Sequence, residues 1–199
     1  MLIMGIDASK ACTGLFLLDY RPNGILEYVG TTIIVPSSTK KADNYFFLEF
    51  GSAFQHILNE WKPDIIVREE TIPSSSHYTR DLLAMQKGVM KLMIGDYGIK
   101  SEASVHPKTL KRVVGGHGSC SKDTLAAAAR EYVDIPESVW ETLINDQTDA
   151  LALIVWYVMT KLKANKIEDM QELLEEDEMI QEALQKTKEV VGFESQSDE

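Results

Sequence analysis

The sequence predicts an α/β domain built on a mixed sheet, and three observations carry that prediction. First, three strand-like runs precede any helical spacing: LIMGID, LFLLDY and ILEYVGTTIIV, separated by the turn-like ASKACTG and by PNG at 22–24. Three such runs in succession make an antiparallel meander. Second, IIVRE at 65–69 is a short apolar run with helical spacing on both sides, the mark of a buried strand parallel to the first. Third, the later chain alternates helix and strand. The order β-β-β-α-β-α-β-α gives three antiparallel strands plus parallel ones, flanked by helices.

Each element has its own warrant. From Asp43 to Trp61, Phe46, Phe47, Phe50, Phe54, Ile57, Leu58 and Trp61 recur at helical spacing, and Pro63 ends the run. PSSS at 73–76 is a loop. A helix over about 79–95 is expected to turn Leu82, Leu83, Met85, Met90 and Ile94 inward, its methionines as core. IKSEASV is a short strand. HPKTLKRVV is helical with Pro107 at its start, GGHGS is a flexible loop, and SKDTLAAAAREY is a helix that Ser121 can cap. Ile135-Pro136 breaks it, and a last core helix runs from near Asp146 to about Lys163. The polar, acidic segment beyond reads as a helical or disordered extension. The predicted division is a domain over 1–165 and an extension over 166–199.

The bulk numbers fit one domain: 199 residues, 44% hydrophobic. No apolar run reaches the roughly 18 residues of a membrane span, and MLIMGIDASK lacks the features of a signal peptide. Cys12 and Cys120 are the only cysteines, so the expected compartment is a reducing cytoplasm. The net charge of −11 argues against a nucleic-acid partner until it is divided. Residues 161–199 carry −7 of it and residues 1–160 only −4. The tail's acidity therefore says little about the surface of the body.

Four acids stand out. Asp7 ends the first strand and Glu69 the fourth, with Glu70 beside it as the runner-up. Asp146 and Asp149 share one face at the mouth of an apolar helix, DQTDALALIVWY. If strands one and four are parallel neighbours, all four acids converge at one sheet edge. Like charges at 4 Å repel by about 4 kcal/mol at an effective dielectric of about 20. Hard divalent cations remove that cost, and oxygen-only ligands select Mg²⁺ or Mn²⁺. A pair of such ions suits phosphodiester hydrolysis. The bland reading is also open. A lone Asp at a strand end is commonly a turn residue, and Asp146 and Asp149 also suit the first turn of any helix.

Taken in order, four segments resemble the RuvC family of Holliday junction resolvases, within the RNase H-like, or retroviral-integrase-like, superfamily. GIDASKACTG is similar to the family's first-strand motif, PDIIVREETI to its glutamate strand, KRVVGGHGSCSK to its basic glycine-rich segment and NDQTDALALIVW to its closing motif. The DASxxxTG form is closer to phage members. The resemblance covers about residues 1–160. It implies an RNase H-like fold with Asp7, Glu69, Asp146 and Asp149 as catalytic metal ligands. It further implies two Mg²⁺ or Mn²⁺ ions, branched DNA as substrate, and a homodimer for symmetric cutting. Lys111 and Lys122 fall on its phosphate-contacting lysines. Gly116 and Gly118 let the backbone approach the sugar-phosphate chain, and Lys108 and Arg112 extend the patch. A solvated helix face is the alternative for these lysines.

The sequence departs from the pattern at Ile72, where the common bacterial enzyme has an aromatic wedge; Tyr78 or His77 is a candidate substitute. The acidic tail also lacks a counterpart in the common bacterial enzyme; it reads first as a solvating extension, with a partner-binding helix or a brake that competes with DNA for the basic patch as alternatives. Four readings stay open: a junction resolvase, a nuclease on flaps or hybrids, a sugar kinase-like ATPase, and a non-catalytic relative. The ATPase reading needs more chain than 199 residues. The carboxylates weigh against the non-catalytic one. The helices around 79–95 and 150–160 are the expected dimer surface.

Overall fold

β1 (Leu2–Ala8), β2 (Thr13–Tyr20) and β3 (Leu26–Ile34) form the expected antiparallel meander in the computed structural model. The structure describes residues 1–9, 11–36, 43–70, 77–99 and 101–162. Ile72 and the acidic extension lie outside them. α1 (Asp43–Trp61) leads to β4 (Ile65–Glu69), which pairs parallel with β1. α2 (His77–Asp96) leads to β5 (Ser101–Val105), parallel to β4. α3 (Pro107–Val114) and α4 (Lys122–Arg130) follow, then a two-residue strand β6 (Val133–Asp134), a one-turn α5 (Glu137–Trp140) and α6 (Asn145–Tyr157). A π-helical turn, Val158–Leu162, continues α6. The sheet order is β5-β4-β1-β2-β3-β6. β6 and α5 are too short for a periodic signal, and the sequence reading lacks both.

Strand parity divides the core between the two sheet faces. Ile3, Phe16, Leu18, Ile65 and Val67 pack with the buried run Ala150–Trp156 of α6 and with α3 and α4. Met4, Ile6, Leu15, Leu17 and Ile66 pack with Phe50, Phe54 and Leu58 of α1 and Met90 and Ile94 of α2. Both faces are covered, which is why β1 and β4 read as unbroken apolar runs.

Two expectations change. Met85 is 56% exposed rather than inward, while Gln86 is buried in its place. Gln86 Nε2 donates to Thr13 Oγ1 at 3.1 Å, tying α2 to the start of β2. The stretch Ala150–Trp156 is enclosed within the chain, so it offers core rather than dimer surface.

Candidate active site

The register of β1 against β4 brings two acids together. Ile6 lies opposite Arg68 in a parallel pair, so Asp7 and Glu69 leave the sheet side by side. Parity then sets their direction. Asp7 follows Ile3 and Gly5 on the α6 face, and Glu69 follows Ile65 and Val67 on the same face. Arg68 and Glu70 have the opposite parity and turn toward α2.

Two glycines bring α6 down onto that edge. A Cβ on Gly5 would lie 2.0 Å from the Ala150 carbonyl oxygen, and one on Gly14 would lie 2.1 Å from that of Asp146. Only bare backbone lets the helix rest directly on β1 and β2. The helix start is also tied down. The Gln147 side chain accepts from the Ile144 N–H at 3.1 Å and donates to Thr31 Oγ1 at 2.9 Å. Asp146 and Asp149 are thereby held over the ends of β1 and β4. Ile144, not Asp146, occupies the N-cap position.

The electrostatics record how close the four acids stand. Burial, then the charges of Asp149, Glu69 and Asp146, push the Asp7 carboxyl up to about 7, against a smaller opposing pull from Lys122. Burial and Asp149 raise Glu69 above the ordinary carboxylate range, opposed by Lys122 and Lys111. Lys122 is the internal counter-charge: its Nζ donates to Asp149 Oδ2 at 2.5 Å. Burial pulls the Lys122 ammonium down, but the hydrogen bond and charge of Asp149, then Asp7 and Asp146, more than reverse this and leave it raised. Lys122 also opens α4, where the helix dipole disfavours a cation. The sequence accepts that local cost at the one place where a carboxylate cluster offsets it.

The donor set is oxygen only, crowded and short of positive charge, which fits hard divalent cations. Among the described residues no three His, Cys, Asp or Glu side chains are already drawn into a closed ligand cluster. Asp149 is paired with Lys122 instead. The Cys12 thiol stands beside Asp146; burial, then that residue's charge and hydrogen bond, then Asp7, push it up to about 11.

The basic residues separate into two groups. Lys111 and Lys122 reach the acids electrostatically, as the shifts of Glu69 show. Lys111 Nζ also donates to the Cys120 carbonyl at 3.0 Å, bracing the glycine loop. Lys108 and Arg112 are exposed one turn apart on α3. Gly116 has a φ of +78°, which favours glycine. A Cβ on Gly118 would meet only the Lys108 carbonyl oxygen, at 3.4 Å. The tight position is Gly115, absent from the sequence reading, where a Cβ would fall 2.3 Å from Cys120 Sγ. Arg68 and Lys87 are further residues that sequence reasoning passed over. Both line a cavity of about 230 Å³ that also touches Asp7, Glu69 and Glu70. A signal for Lys87 was available: it lies four residues after Leu83 and three before Met90, within the inward stripe of α2.

Comparison with known proteins places this geometry. The family model for crossover junction endodeoxyribonuclease RuvC matches residues 3–157. A crossover junction endodeoxyribonuclease RuvC of Rickettsia africae is 25% identical over 161 residues, spanning 81% of this chain and 99% of the relative. One of Akkermansia muciniphila is 26% identical over 172 residues, spanning 84% and 98%. The solved structure of T. thermophilus RuvC in complex with a Holliday junction substrate aligns with a TM-score of 0.70 at 17% identity, covering 83% of this chain and 98% of that one. At that identity the likeness speaks for the fold, and it agrees with the mixed RNase H-like sheet read from the sequence. The chain belongs to the RuvC family of crossover junction endodeoxyribonucleases.

Proposed function

We propose that this chain is a structure-selective endodeoxyribonuclease that resolves four-way DNA junctions by metal-dependent phosphodiester hydrolysis. One observation carries the reading: Asp7, Glu69, Asp146 and Asp149 meet from two strand ends and a helix start, with Lys122 as their near counter-charge. In this reading the four carboxylates would hold two Mg²⁺ or Mn²⁺ ions. Bound there, the ions supply a nucleophilic water at neutral pH and stabilisation of the leaving oxygen. Glu69 is preferred over Glu70 because its parity turns it toward α6.

The chain's own residues do the rest. Asp7, half-buried and drawn toward neutrality, is poised to gain from a cation as soon as one arrives. Lys122, which pairs with Asp149 in the free chain, would turn to a backbone phosphate once that carboxylate held a metal. Lys111 supports the loop carrying Gly116 and Gly118, with Lys108 and Arg112 beside it along the DNA. The strand is thereby oriented while the carboxylates stay fixed to rigid elements, the arrangement that positioning at a reacting centre requires.

Symmetric cutting of a two-fold junction calls for two such sites, hence a homodimer. Exposed Met85 and Leu92 on α2, with Tyr45 and Leu48 on α1, support α1 and α2 as its surface. The same reading takes 1–165 as the nuclease domain, working in the cytoplasm, and 166–199 as an acidic, chiefly solvating extension that is also a candidate site for a protein partner.

The test is cleavage of a mobile four-way junction beside a flap and a linear duplex, with Mg²⁺ or Mn²⁺ and then with EDTA. Paired symmetric cuts in the junction alone, abolished by EDTA, are expected. Preference for the flap would shift the substrate assignment, and cleavage that persists in EDTA would overturn the chemistry.

A further inference from the structure

The proposed DNA contacts all lie on one face of the sheet. Lys111 and Lys122 come from α3 and α4, which pack on the α6 side. A backbone crossing the edge of the sheet also passes the other face, where α2 lies. There the cavity of about 230 Å³ opens directly from Asp7 and Glu69, and its wall includes Arg68, Glu70, Leu83 and Lys87.

The two cations in that wall differ in availability. Arg68 is 7% exposed and committed: its guanidinium pairs with Glu102 and donates to the Glu69 carbonyl at 3.4 Å. That bond fixes the backbone of Glu69 from behind. Lys87 is half-buried, and among the described residues no hydrogen bond or ion pair holds its ammonium. Glu70 and Glu102 are near enough to favour its charge. Burial first, then Arg68 and Lys91, outweigh them and hold the ammonium below the ordinary lysine range. A cation stationed at a cavity wall where its surroundings disfavour it gains from an incoming anion. In a cavity that abuts the carboxylates of a nuclease, that anion is a phosphodiester.

Resting on the proposed function, we propose that Lys87 grips the backbone phosphate adjoining the scissile one, from the α2 side. The cleaved strand is then clamped from both faces of the sheet edge: Lys111 and Lys122 on one side, Lys87 on the other, the carboxylates between. Glu70, at the same wall, keeps the bare DNA-free pocket from becoming a general anion trap. Lys87 binds and positions the strand; it takes no part in the bond-breaking step.

The test compares Lys87→Met, which keeps the apolar stem, with Lys87→Arg and with Lys91→Ala, a control one turn along α2 and exposed. Junction affinity in EDTA is measured between 50 and 200 mM salt (assay settings), and single-turnover cleavage is measured with Mg²⁺. K87M is expected to fold with an unchanged melting temperature. Its salt slope should flatten by about one per active site, and cleavage should slow by roughly 10- to 100-fold. K87R should recover most of both, and K91A, which only removes a charge that opposes Lys87, should show neither loss. A K87M protein with wild-type slope and rate overturns the inference, as does a K91A protein with the same defect, which would mean diffuse electrostatics. A wild type that binds and cuts the junction, with K87M doing both equally well, sinks this inference alone. A wild type that neither binds nor cuts the junction sinks the proposed function and Lys87's role with it.

Discussion

The two ends of β4 use acids in opposite ways. At its start, Asp64 is spent on structure. Its Oδ2 accepts from the Leu2 N–H at 2.7 Å, and its own N–H donates to the Leu2 carbonyl at 2.9 Å, so the parallel pair is pinned where it begins. Five residues on, the Glu69 carboxylate makes no such bond to the sheet among the described residues. It stands instead beside Asp7 and Asp149, with burial and then the charge of Asp149 raising it. The neighbouring β2 end repeats the contrast, since Asp19 pairs with Arg21 at 3.0 Å. Acids at one end stabilise the fold and acids at the other oppose it. A fold keeps the second kind for what they bind.

The sharpest way to break that comparison is Asp7→Asn. With no metal bound, burial and the neighbouring carboxylates push the Asp7 carboxyl up from 3.8 to about 7. Between those values the folded chain keeps a proton that the unfolded chain has released. Stability therefore falls as pH rises through this window, and the loss is complete above pH 7. The roughly three-unit shift corresponds to about 4 kcal/mol at most. The Asn variant, free of that penalty, should be more stable than wild type at pH 8 by a few kcal/mol and equal to it near pH 4, by urea unfolding. Mg²⁺ should narrow the gap by stabilising the wild type. Junction cleavage should fall at least 10³-fold (about 4 kcal/mol) while binding survives. Equal stability at both pH values would show that the acids at this end do not oppose folding.

Next in size is Gly14→Ala. Its methyl would overlap the Asp146 carbonyl, so either α6 lifts or the strand bends. A cost of about 3 kcal/mol is expected, at the upper end of overpacking, with cleavage falling alongside. A wild-type denaturation midpoint would show that α6 does not depend on bare backbone beneath it.

Much of this was legible in the sequence, and the remainder was hidden for physical reasons. The nineteen residues of α1 could be read directly, and so could the strand ends and helix start that carry the four acids. The choice between Glu69 and Glu70 could not. Period-two alternation assigns faces only when one face is polar, and Ile65, Ile66 and Val67 are all buried because helices cover both sides. Parity emerges only from register against Ile3 and Gly5. Met85 was read inward because its type is apolar, yet Gln86 takes the buried place through its bond to Thr13. Gly5 falls inside the LIMGID strand and Gly14 closes the ASKACTG turn, with nothing local to mark them; their purpose lies in a helix more than 130 residues away.

A smaller effect should follow Lys122→Ala. The ammonium is half-exposed, so its pair with Asp149 contributes little to stability. Its expected loss is read in binding: a salt slope reduced by about one and a several-fold weaker junction affinity. Cleavage should also slow, because the strand loses a cation that orients its phosphate over the carboxylates. An unchanged slope would remove Lys122 from the DNA contacts.

The smallest effect belongs to the other end of β4. Asp64→Ala deletes the acceptor for the Leu2 N–H, a hydrogen bond at an exposed position where water can replace it. The cost should be about 1 kcal/mol, read as a small drop in the denaturation midpoint at unchanged slope. The paired N–H of Asp64 still reaches the Leu2 carbonyl, so the register of β1 on β4 should hold. With register intact, Asp7 and Glu69 still emerge together, and the Mg²⁺-dependent cleavage rate should match the wild type. Because the substitution removes a negative charge, it also controls for Asp7→Asn: one lost carboxylate should lower stability and spare activity, the other raise stability and abolish activity. If Asp64→Ala slowed cleavage as well, the two ends of the strand would be mechanically coupled, and division of labour between their acids would fail.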